Sequence, residues 1–245
     1  MENIVLNNRY IIEKKISQGG FCDIFLGRDI YDNYFNNFSK VVIKVPTKEL
    51  LQKEDIDAFM YAEYSILKKL SSKNIVKVFD FGIDPQKVIP YIVMEYLDGK
   101  LLNDISISDL SLKDKYIIFK ELIKTLKYLY KNNIVHCDIS PYNIYIFEDD
   151  LILFDFGISK DLSNNTISFN RENYIAMNKK YSSPNIIKDK VNFDFDIYSV
   201  SIIIYEFIIG SSLNKDEIEN LQKKEFKSYF FKTIKFILSI LIKRN

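Results

Sequence analysis

Residues 136–157 of the chain read HCDISPYNIYIFEDDLILFDFG, and they carry the strongest evidence for the fold. The stretch begins with His136, the only histidine in the chain, and Asp138 follows two positions later. Asn143 lies five residues after that aspartate, and Asp155 opens the Asp-Phe-Gly that ends the stretch. Each feature is weak when it is taken alone, because a single histidine is most often structural and Asp-Phe-Gly is most often a turn after a strand.

The pattern within and around this stretch predicts a hairpin that follows a long helix. Apolar residues recur at helical spacing over 112–131, and two asparagines at 132–133 end that helix. Residues 144–147 and 151–154 are β-rich runs that an acidic turn joins. Farther along the chain, a long polar segment over 160–180 precedes the last predicted helices.

The first part of the chain is β-rich. Two short runs flank a glycine-containing turn at 17–20, and a polar, Asn-rich loop at 31–40 precedes the next strand. The apolar spacing becomes helical over 55–70. The predicted fold class is therefore α+β, with a β-rich part that holds one main helix, a short hinge near 95–99 and a mostly helical part. The predicted strands of the first part are 9–15, 24–28, 41–45, 75–81 and 90–96.

The composition is that of an ordinary globular protein. The chain has 245 residues, of which 47% are apolar and 27% charged, and its net charge of +1 indicates neither a nucleic-acid partner nor an anionic membrane. Two cysteines, Cys22 and Cys137, are too few for a disulfide framework and favour a reducing compartment. The apolar stretches at 199–210 and 226–242 are too short, or too interrupted by charge, to span a membrane. With no signal peptide visible, we expect a cytoplasmic protein.

The order of these features resembles the protein kinase family. A glycine turn between strands is followed by a lysine in a strand, Lys44, and by a glutamate in a helix, Glu63, ahead of the His-x-Asp loop and Asp-Phe-Gly. The match runs from about Ile11 to Glu206, and independent weak signals rarely align in one chain. The resemblance implies a bilobal protein-kinase-like fold with a reduced helical C-lobe. It also implies a single domain over residues 1–245, with the N-lobe at about 1–94, the hinge at about 95–99 and the C-lobe at about 100–245.

The resemblance implies ATP as the phosphoryl donor and Mg²⁺ as its metal ion. Backbone amides of the glycine turn would cover the phosphates, Lys44 would hold the α and β phosphates, and Glu63 would orient that lysine. The residues implied to form the turn are Ser17, Gly19, Gly20, Phe21 and Ile24. The residues implied to contact the adenine are Val42, Met94, Glu95, Leu97 and Tyr145.

The resemblance also assigns the groups that carry out phosphoryl transfer. Asp138 would accept or orient the proton of the substrate hydroxyl, while Asn143 and Asp155 would bind Mg²⁺. Asp196 would brace the catalytic loop from the start of a buried helix. Residues 181–185 resemble the end of the activation segment.

Several positions depart from the family's pattern. Cys137 replaces an arginine that normally pairs with a phosphate on the activation segment, which indicates activity without that phosphorylation or regulation by other means. Ser140 replaces a lysine that contacts the γ-phosphate, and the loss of this contact is expected to affect the rate of phosphoryl transfer. Asn185 replaces the glutamate that ends the activation segment. Val42 and Tyr145 add bulk beside the expected adenine site, and we expect neighbouring residues to accommodate it.

Three functions remain open on the sequence: an active protein kinase, a pseudokinase that acts as a binding module, and a small-molecule kinase with a related catalytic loop. The presence of all the expected charged groups favours the first, which acts on a protein of unknown identity. The changes at Cys137 and Ser140 favour the second, and the Ser140-Pro141 variant favours the third.

Serine/threonine specificity is favoured over tyrosine. Asn178 stands near the place of a threonine that contacts the catalytic aspartate, and the asparagine amide can substitute for it as a donor. The segment 160–180 also offers hydroxyl groups that are either autophosphorylation sites or ordinary polar loop residues. These are Ser163, Thr166, Ser168 and Tyr174.

Overall fold

The computed structural model of the chain forms two compact units. The first comprises Met1–Ser71, Val76–Leu97 and Thr166–Ala176, and the second comprises Ser72–Ile75, Asp98–Asn165 and Met177–Asn245. The first is dominated by a β-sheet and the second by helices, which confirms the predicted α+β class. The residues that the structure describes are 4–35, 39–148, 150–163, 167, 169–170, 174, 178–183, 190–214, 216–218, 232–233, 236–238 and 240–241.

The first unit contains one six-stranded antiparallel sheet. Its strands are Val5–Leu6 (β1), Tyr10–Gln18 (β2), Cys22–Asp29 (β3), Lys40–Pro46 (β4), Val78–Asp84 (β5) and Ile89–Glu95 (β6). They lie in the order β1-β2-β3-β4-β6-β5. Strands that follow each other in the chain are therefore neighbours, except that β4 pairs with β6 and β5 lies at the edge of the sheet. Because side chains alternate between the two faces of a strand, Ile12, Phe25 and Ile43 share one buried core.

The β2–β3 turn is shorter than the sequence predicts. The prediction places a turn at 17–20, but β2 continues through Gln18. Ser17 pairs with Ile24 and Gln18 with Asp23, and these ladder contacts keep the chain extended past the predicted end of the strand. The reversal is then closed by the Gly19 N–H, which donates to the Cys22 carbonyl at 2.8 Å.

Two further predictions for the first unit were wrong in position. The strand predicted at 75–81 lies at Val78–Asp84, because the Asp84 carboxylate accepts the N–H groups of Gln86 and Lys87 and so fixes where the β5–β6 turn begins. The predicted loop at 31–40 contains a short helix, Ile30–Tyr34 (α1), because the Asp29 carboxylate caps it by accepting the Tyr31 N–H.

The main helix of the first unit is Ile56–Lys69 (α2), within one residue of the predicted bounds. Its buried residues recur at the three- and four-residue spacing that lines one face of a helix. Glu63 belongs to that buried face, although it carries a charge. The residues of this face are Ile56, Phe59, Met60, Glu63, Ile66 and Leu67.

The second unit is built on two long helices. Leu112–Lys131 (α3) has the predicted bounds and begins with a capping box, in which the Ser111 hydroxyl accepts the Asp114 N–H and the Asp114 carboxylate accepts the Ser111 N–H. Asp194–Ile209 (α4) is buried over almost its whole length, and it includes most of the apolar stretch 199–210. The short strands are Lys100–Leu101 (β7), Ile134–Val135 (β8), Ile144–Phe147 (β9), Asp150–Leu153 (β10) and Lys160–Asp161 (β11).

The β9–β10 hairpin confirms the pairing predicted from residues 136–157. Its register places Phe147 opposite Asp150 and Ile144 opposite Leu153, so Asn143 and Phe154 lie beside each other at its open end. Within the part of the chain that the structure describes, no helix has both the length and the apolar character that crossing a membrane requires.

Candidate active site

A buried ion pair joins β4 to α2 in the first unit. The Lys44 ammonium lies 2.8 Å from both carboxylate oxygens of Glu63, and both side chains are almost fully buried. Burial makes each charge costly alone, so the two charges stabilise each other only as a pair. The predicted juxtaposition of the strand lysine and the helix glutamate is present in the structure.

The glycine turn lies directly beside this pair in the sheet register. Ile24 is the ladder partner of Lys44, and the Thr47 N–H donates to the Phe21 carbonyl at 3.0 Å. A Cβ atom on Gly19 would lie 3.3 Å from the Cys22 carbonyl, which is a tight contact. The backbone of Gly19 therefore lies close to the Cys22 carbonyl, and the absence of a side chain on glycine permits this close approach.

The residues predicted to contact adenine divide between the two units. Val42 and Met94 are ladder partners on β4 and β6 in the first unit. The Glu95 N–H donates to the Lys77 carbonyl at 3.0 Å, so this group is committed to the protein and is not a donor to a nucleotide. Leu97 is half-buried at the end of the first unit, and Tyr145 belongs to the second, where its ring packs 5.2 Å from that of Phe154.

Three hydrogen bonds within the second unit hold Asp138 in place. The Asn143 side-chain amide donates to the Asp138 carbonyl at 2.8 Å and to its Oδ2 at 2.9 Å, and the Asn178 N–H donates to Oδ1 at 3.1 Å. Burial is the main cause that raises the pKa of Asp138 to about 6, and the nearby charge of Asp155 adds to it, while the Asn178 and Asn143 donors act in the opposite direction. A carboxylate with such a pKa is suited to accept a proton close to neutral pH.

The contact from Asn178 corrects one prediction. The sequence suggests that the asparagine side chain donates to the catalytic aspartate, but the donor is the backbone N–H. The side-chain oxygen instead accepts the Lys180 N–H at 3.1 Å, which closes a local turn. Any residue other than proline could supply that backbone donor, so this position carries less information on serine/threonine specificity than the sequence suggests.

Asp196 braces the catalytic loop, as predicted. At the start of α4, its two carboxylate oxygens accept the His136 and Cys137 N–H groups, both at 2.8 Å. Full burial raises the pKa of Asp196 to about 7, although both backbone donors oppose that shift. Cys137 has a φ of 71°, in the left-handed region that residues with a Cβ rarely adopt, and the bond to Asp196 holds it there.

His136 is a structural residue with a defined tautomer. Its Nδ1 accepts the Asp138 N–H at 3.2 Å, so the ring proton lies on Nε2, which donates to the Phe154 carbonyl at 3.1 Å. The ring also packs at 4.5 Å against that of the fully buried Phe156. The histidine therefore ties the catalytic loop to the Asp-Phe-Gly segment.

Asp155 and Asn143 provide oxygen ligands of the type that Mg²⁺ requires. The Asn143 amide directs its N–H groups at Asp138, so its Oδ1 is the atom suited to a cation. The Phe154 N–H donates to the Asn143 carbonyl at 3.1 Å, which keeps the two ligands on adjoining segments, and Asp155 adopts a left-handed φ of 60°. One carboxylate and one amide oxygen, completed by phosphate and water, form a typical Mg²⁺ ligand set.

The sequence alone did not identify the group of residues around Glu206. This buried glutamate on α4 accepts the Tyr181 hydroxyl at 2.9 Å and the Leu213 N–H at 2.8 Å, and its Oε1 lies 2.6 Å from the Lys180 ammonium. The sequence signal that points to such a site is that Glu206 is the one charged residue within the apolar stretch 199–210. Two residues of the predicted end of the activation segment, Pro184 and Asn185, lie outside the described residues.

Ser140 does not take over the role of the lysine that it replaces. Its side chain is 1% exposed, and its Oγ has no hydrogen-bond partner among the described residues. A buried neutral hydroxyl supplies no positive charge, so the γ-phosphate contact expected from a lysine at this position is absent from Ser140.

Comparisons with known proteins agree with this arrangement. A family model described as "Protein kinase domain" matches residues 10–244. The chain is 34% identical over 214 residues to a probable serine/threonine-protein kinase of Clostridium acetobutylicum, with 86% of this chain and 31% of that protein covered. It is 31% identical over 216 residues to a probable serine/threonine-protein kinase of Clostridium perfringens, with 84% and 29% covered. It is 28% identical over 211 residues to the serine/threonine-protein kinase PknB of Mycobacterium tuberculosis, with 84% and 33% covered. The chain therefore spans about a third of the length of these curated relatives.

Proposed function

Because this chain belongs to the protein kinase domain family, we propose that it transfers the γ-phosphoryl group of ATP to serine or threonine hydroxyls of proteins. The family implies ATP as a substrate, a divalent metal ion and a protein as the second substrate. Serine/threonine specificity for this chain is supported by the printed names of its relatives in Clostridium acetobutylicum and Mycobacterium tuberculosis. The boundaries of the two lobes and a cytoplasmic location stay predictions from the sequence.

The observation that carries the proposal is the setting of Asp138. Its carboxylate is fixed by Asn143 and by the Asn178 N–H, and burial places its pKa near 6. A carboxylate held in one orientation can accept a hydrogen bond from a substrate hydroxyl and then take its proton as the oxygen attacks phosphorus. A carboxylate with its ordinary pKa would be a weaker acceptor at neutral pH.

The remaining roles follow residue by residue from the same chemistry. Lys44, held by Glu63, binds the α and β phosphates of ATP, and the backbone of Gly19 and Gly20 covers them. Asp155 and the Asn143 Oδ1 would hold Mg²⁺, which when bound neutralises phosphate charge.

The adenine contacts complete the assignment. Val42 and Met94 are ladder partners and Leu97 is half-buried, so these residues offer apolar surface to the base, while Tyr145 is assigned from the resemblance. For Glu95 only the carbonyl is proposed, because its N–H is already bonded to Lys77.

A pseudokinase is the second candidate, and Ser140 is the observation that favours it. The buried, unpartnered hydroxyl leaves the γ-phosphate without the cation that a lysine would supply. Charge neutralisation at the transferring phosphoryl group is a main source of catalysis, so transfer without this cation is expected to be slow or absent.

Incubation with γ-labelled ATP and Mg²⁺, alone and with a generic basic protein, separates the two candidates. We expect labelled protein that contains phosphoserine or phosphothreonine, and we expect Asp138→Asn to lower the rate by about 10²–10⁴-fold because the base is lost. The exposed Asp104, in the same unit, provides the matched control variant Asp104→Asn, which should label like the unchanged protein. Nucleotide binding in a thermal-shift assay with no label would contradict kinase activity and leave the pseudokinase.

A further inference from the structure

One short piece of the chain belongs to the first unit, although the residues on both sides of it belong to the second. This piece is Thr166–Ala176, which lies between Asp98–Asn165 and Met177–Asn245 of the second unit. Its residues Phe169, Asn170 and Tyr174 contact the beginning of α2. Ordering a loop segment costs conformational entropy, so the contacts of Tyr174 must stabilise the folded chain enough to offset that cost.

Four aromatic rings form the cluster through which this piece is held. The Tyr174 ring stacks on the Phe59 ring with 4.1 Å between centroids and an interplanar angle of 8°. The ring of Phe21, in the glycine turn, meets both rings in a T-shaped arrangement, with centroid distances of 6.1 Å to Tyr174 and 6.0 Å to Phe59. Phe169 completes the cluster, with centroids 5.6 Å from Phe59 and 5.7 Å from Tyr174. Tyr174 and Phe59 are almost completely buried and Phe21 and Phe169 are half-buried, so the centre of the cluster is packed like a core.

Polar contacts hold the same piece at Asp55, the residue that precedes α2. The Asp55 carboxylate accepts the Tyr174 hydroxyl and, at 2.7 Å, the Asn170 N–H. The Tyr174 hydrogen bond is the largest cause that lowers the pKa of Asp55, while burial raises the pKa of Tyr174. Asp55 is therefore an ionised acceptor at the helix N-terminus, and Tyr174 is a neutral donor.

The geometry connects this cluster to the ion pair. Phe59 and Glu63 are four residues apart on α2, so they lie one above the other on the same buried face. The Tyr174 ring, which is stacked on Phe59, therefore also fixes how α2 is rotated about its axis. That rotation brings Glu63 to Lys44. The contact with Phe21 fixes the glycine turn in the same way.

We propose that Tyr174 is a positioning residue for the nucleotide site of the first unit, holding α2 and the glycine turn where Lys44 and Glu63 can pair. The inference rests on the proposed function only for the meaning of that ion pair in ATP binding. The device needs no phosphate, which agrees with Cys137 in place of the arginine that would receive one. Tyr174 is also unsuited to autophosphorylation while it is docked, because its hydroxyl is buried and bonded to Asp55.

A double-mutant cycle on MgATP affinity tests the proposal. We expect Tyr174→Ala and Glu63→Gln each to weaken binding by about tenfold, and the double variant to be no weaker than the weaker single variant, because coupled residues are not additive. Tyr174→Phe keeps the ring and should have an intermediate effect. Tyr34→Phe, at a tyrosine that is 80% exposed in the same unit, should have none. Additive effects of Tyr174→Ala and Glu63→Gln would show that Tyr174 acts independently of the ion pair and would overturn the proposal.

Amide hydrogen exchange provides a second measurement that needs neither ATP nor transfer. In Tyr174→Phe and Tyr174→Ala we expect faster exchange over α2 and unchanged exchange over α3, because only the first helix loses its support. Should Tyr174→Ala fail to fold, Tyr174→Phe decides the matter by this measurement, and equal exchange over α2 in the variant and the unchanged protein would overturn the proposal. An unchanged protein that binds ATP but transfers no phosphoryl group would refute the proposed function while leaving both tests valid.

Discussion

The two units bury charge in opposite ways. In the first unit, Lys44 and Glu63 neutralise each other at 2.8 Å. In the second, the buried Asp196 carboxylate accepts two backbone N–H groups, and Asp138 lies close enough to Asp155 and Asp196 for their charges to affect one another. The first arrangement pairs opposite charges, whereas the second brings carboxylates together.

The pKa values show what this difference means. Asp155 contributes to the raised pKa of Asp138, and Asp138 contributes to the raised pKa of Asp196, so each carboxylate disfavours the ionisation of the next. A divalent cation at Asp155 and Asn143 would relieve that repulsion. The Lys44–Glu63 pair therefore ties β4 to α2, whereas Asp155 and Asn143 offer oxygen atoms of the type that suits a divalent cation.

Breaking the ion pair from one side should have the largest effect on stability. In Lys44→Met, the buried Glu63 loses the ammonium group that neutralises it, and we expect a loss of roughly 3–4 kcal/mol in the free energy of unfolding at pH 7. The loss is limited by the cost of protonating Glu63, about 1.4 kcal/mol per pKa unit. Urea unfolding measures it, and the loss should shrink as the pH falls toward 5 because the stranded carboxyl takes up a proton.

The double variant Lys44→Met/Glu63→Leu provides the matched control. Because it removes both charges, most of the lost stability should return, even though ATP binding should not. If the double variant were as unstable as Lys44→Met, the cost would come from packing and the comparison between the two units would lose its basis.

Asp196→Asn should have a smaller effect on stability, and one that depends on pH. The amide has only one oxygen for the His136 and Cys137 N–H groups, so one donor is left unsatisfied at a cost of about 1–3 kcal/mol. The folded pKa of Asp196, about 7, lies above its ordinary value of 3.8, so its proton stabilises the unchanged protein at low pH and this contribution is lost as the pH rises through 7. Urea unfolding at pH 5 and pH 8 should therefore show a larger difference between the two proteins at pH 5; an equal difference at both pH values would contradict the buried carboxyl.

The pH dependence of transfer should report the base. Burial is the main cause that raises the pKa of Asp138 to about 6, and a bound metal ion would remove only the part due to Asp155, so we expect kcat/KM to fall by up to about tenfold between pH 7 and pH 5, because only the ionised carboxylate accepts the proton. Nucleotide affinity measured at the same pH values separates this effect from weaker ATP binding. A rate that stays constant down to pH 5 would exclude Asp138 as a group that must be ionised at a pKa near 6.

Ser140→Ala should have the smallest effect. Its Oγ is buried without a partner, so its removal leaves no new unsatisfied group, and the melting temperature should change by less than about 2 °C. The transfer rate should also be unchanged. A large loss of rate would mean that the hydroxyl contacts the substrate during the reaction, and the buried position of Ser140 would then have to change in the complex.

The sequence predicted most of the helices and strands, because their signals are local. The apolar period gave α3 its bounds, and α2 differs from its prediction by one residue at each end. The two displaced boundaries, at the β2–β3 turn and at β5, depend on the ladder partners of Ser17 and on the hydrogen bonds that Asp84 accepts. The end of β2 is set by pairing with another strand, which local composition does not show, whereas the end of β5 is set by a local turn at Asp84 that the prediction placed too early.

The candidate site divides in the same way. The order of Lys44, Glu63, Asp138, Asn143 and Asp155 identified the family, because each residue type is required by phosphate or metal chemistry. The backbone donor from Asn178 and the contacts of Glu206 had no comparable signal, since they join residues that are 40 and 25 positions apart.

The amino-acid sequence specifies which chemical groups this protein possesses and in what order they occur, because residue identity and spacing can be read directly from the chain. The ionisation and the partners of these groups depend on how the chain folds. The pKa of Asp138 follows from burial and from the charge of Asp155, and Tyr174 meets Asp55 across 119 positions of sequence. Burial and long-range contact arise when distant segments pack together, and this packing raises the pKa of Asp138 toward neutral pH and brings a loop tyrosine to the start of α2.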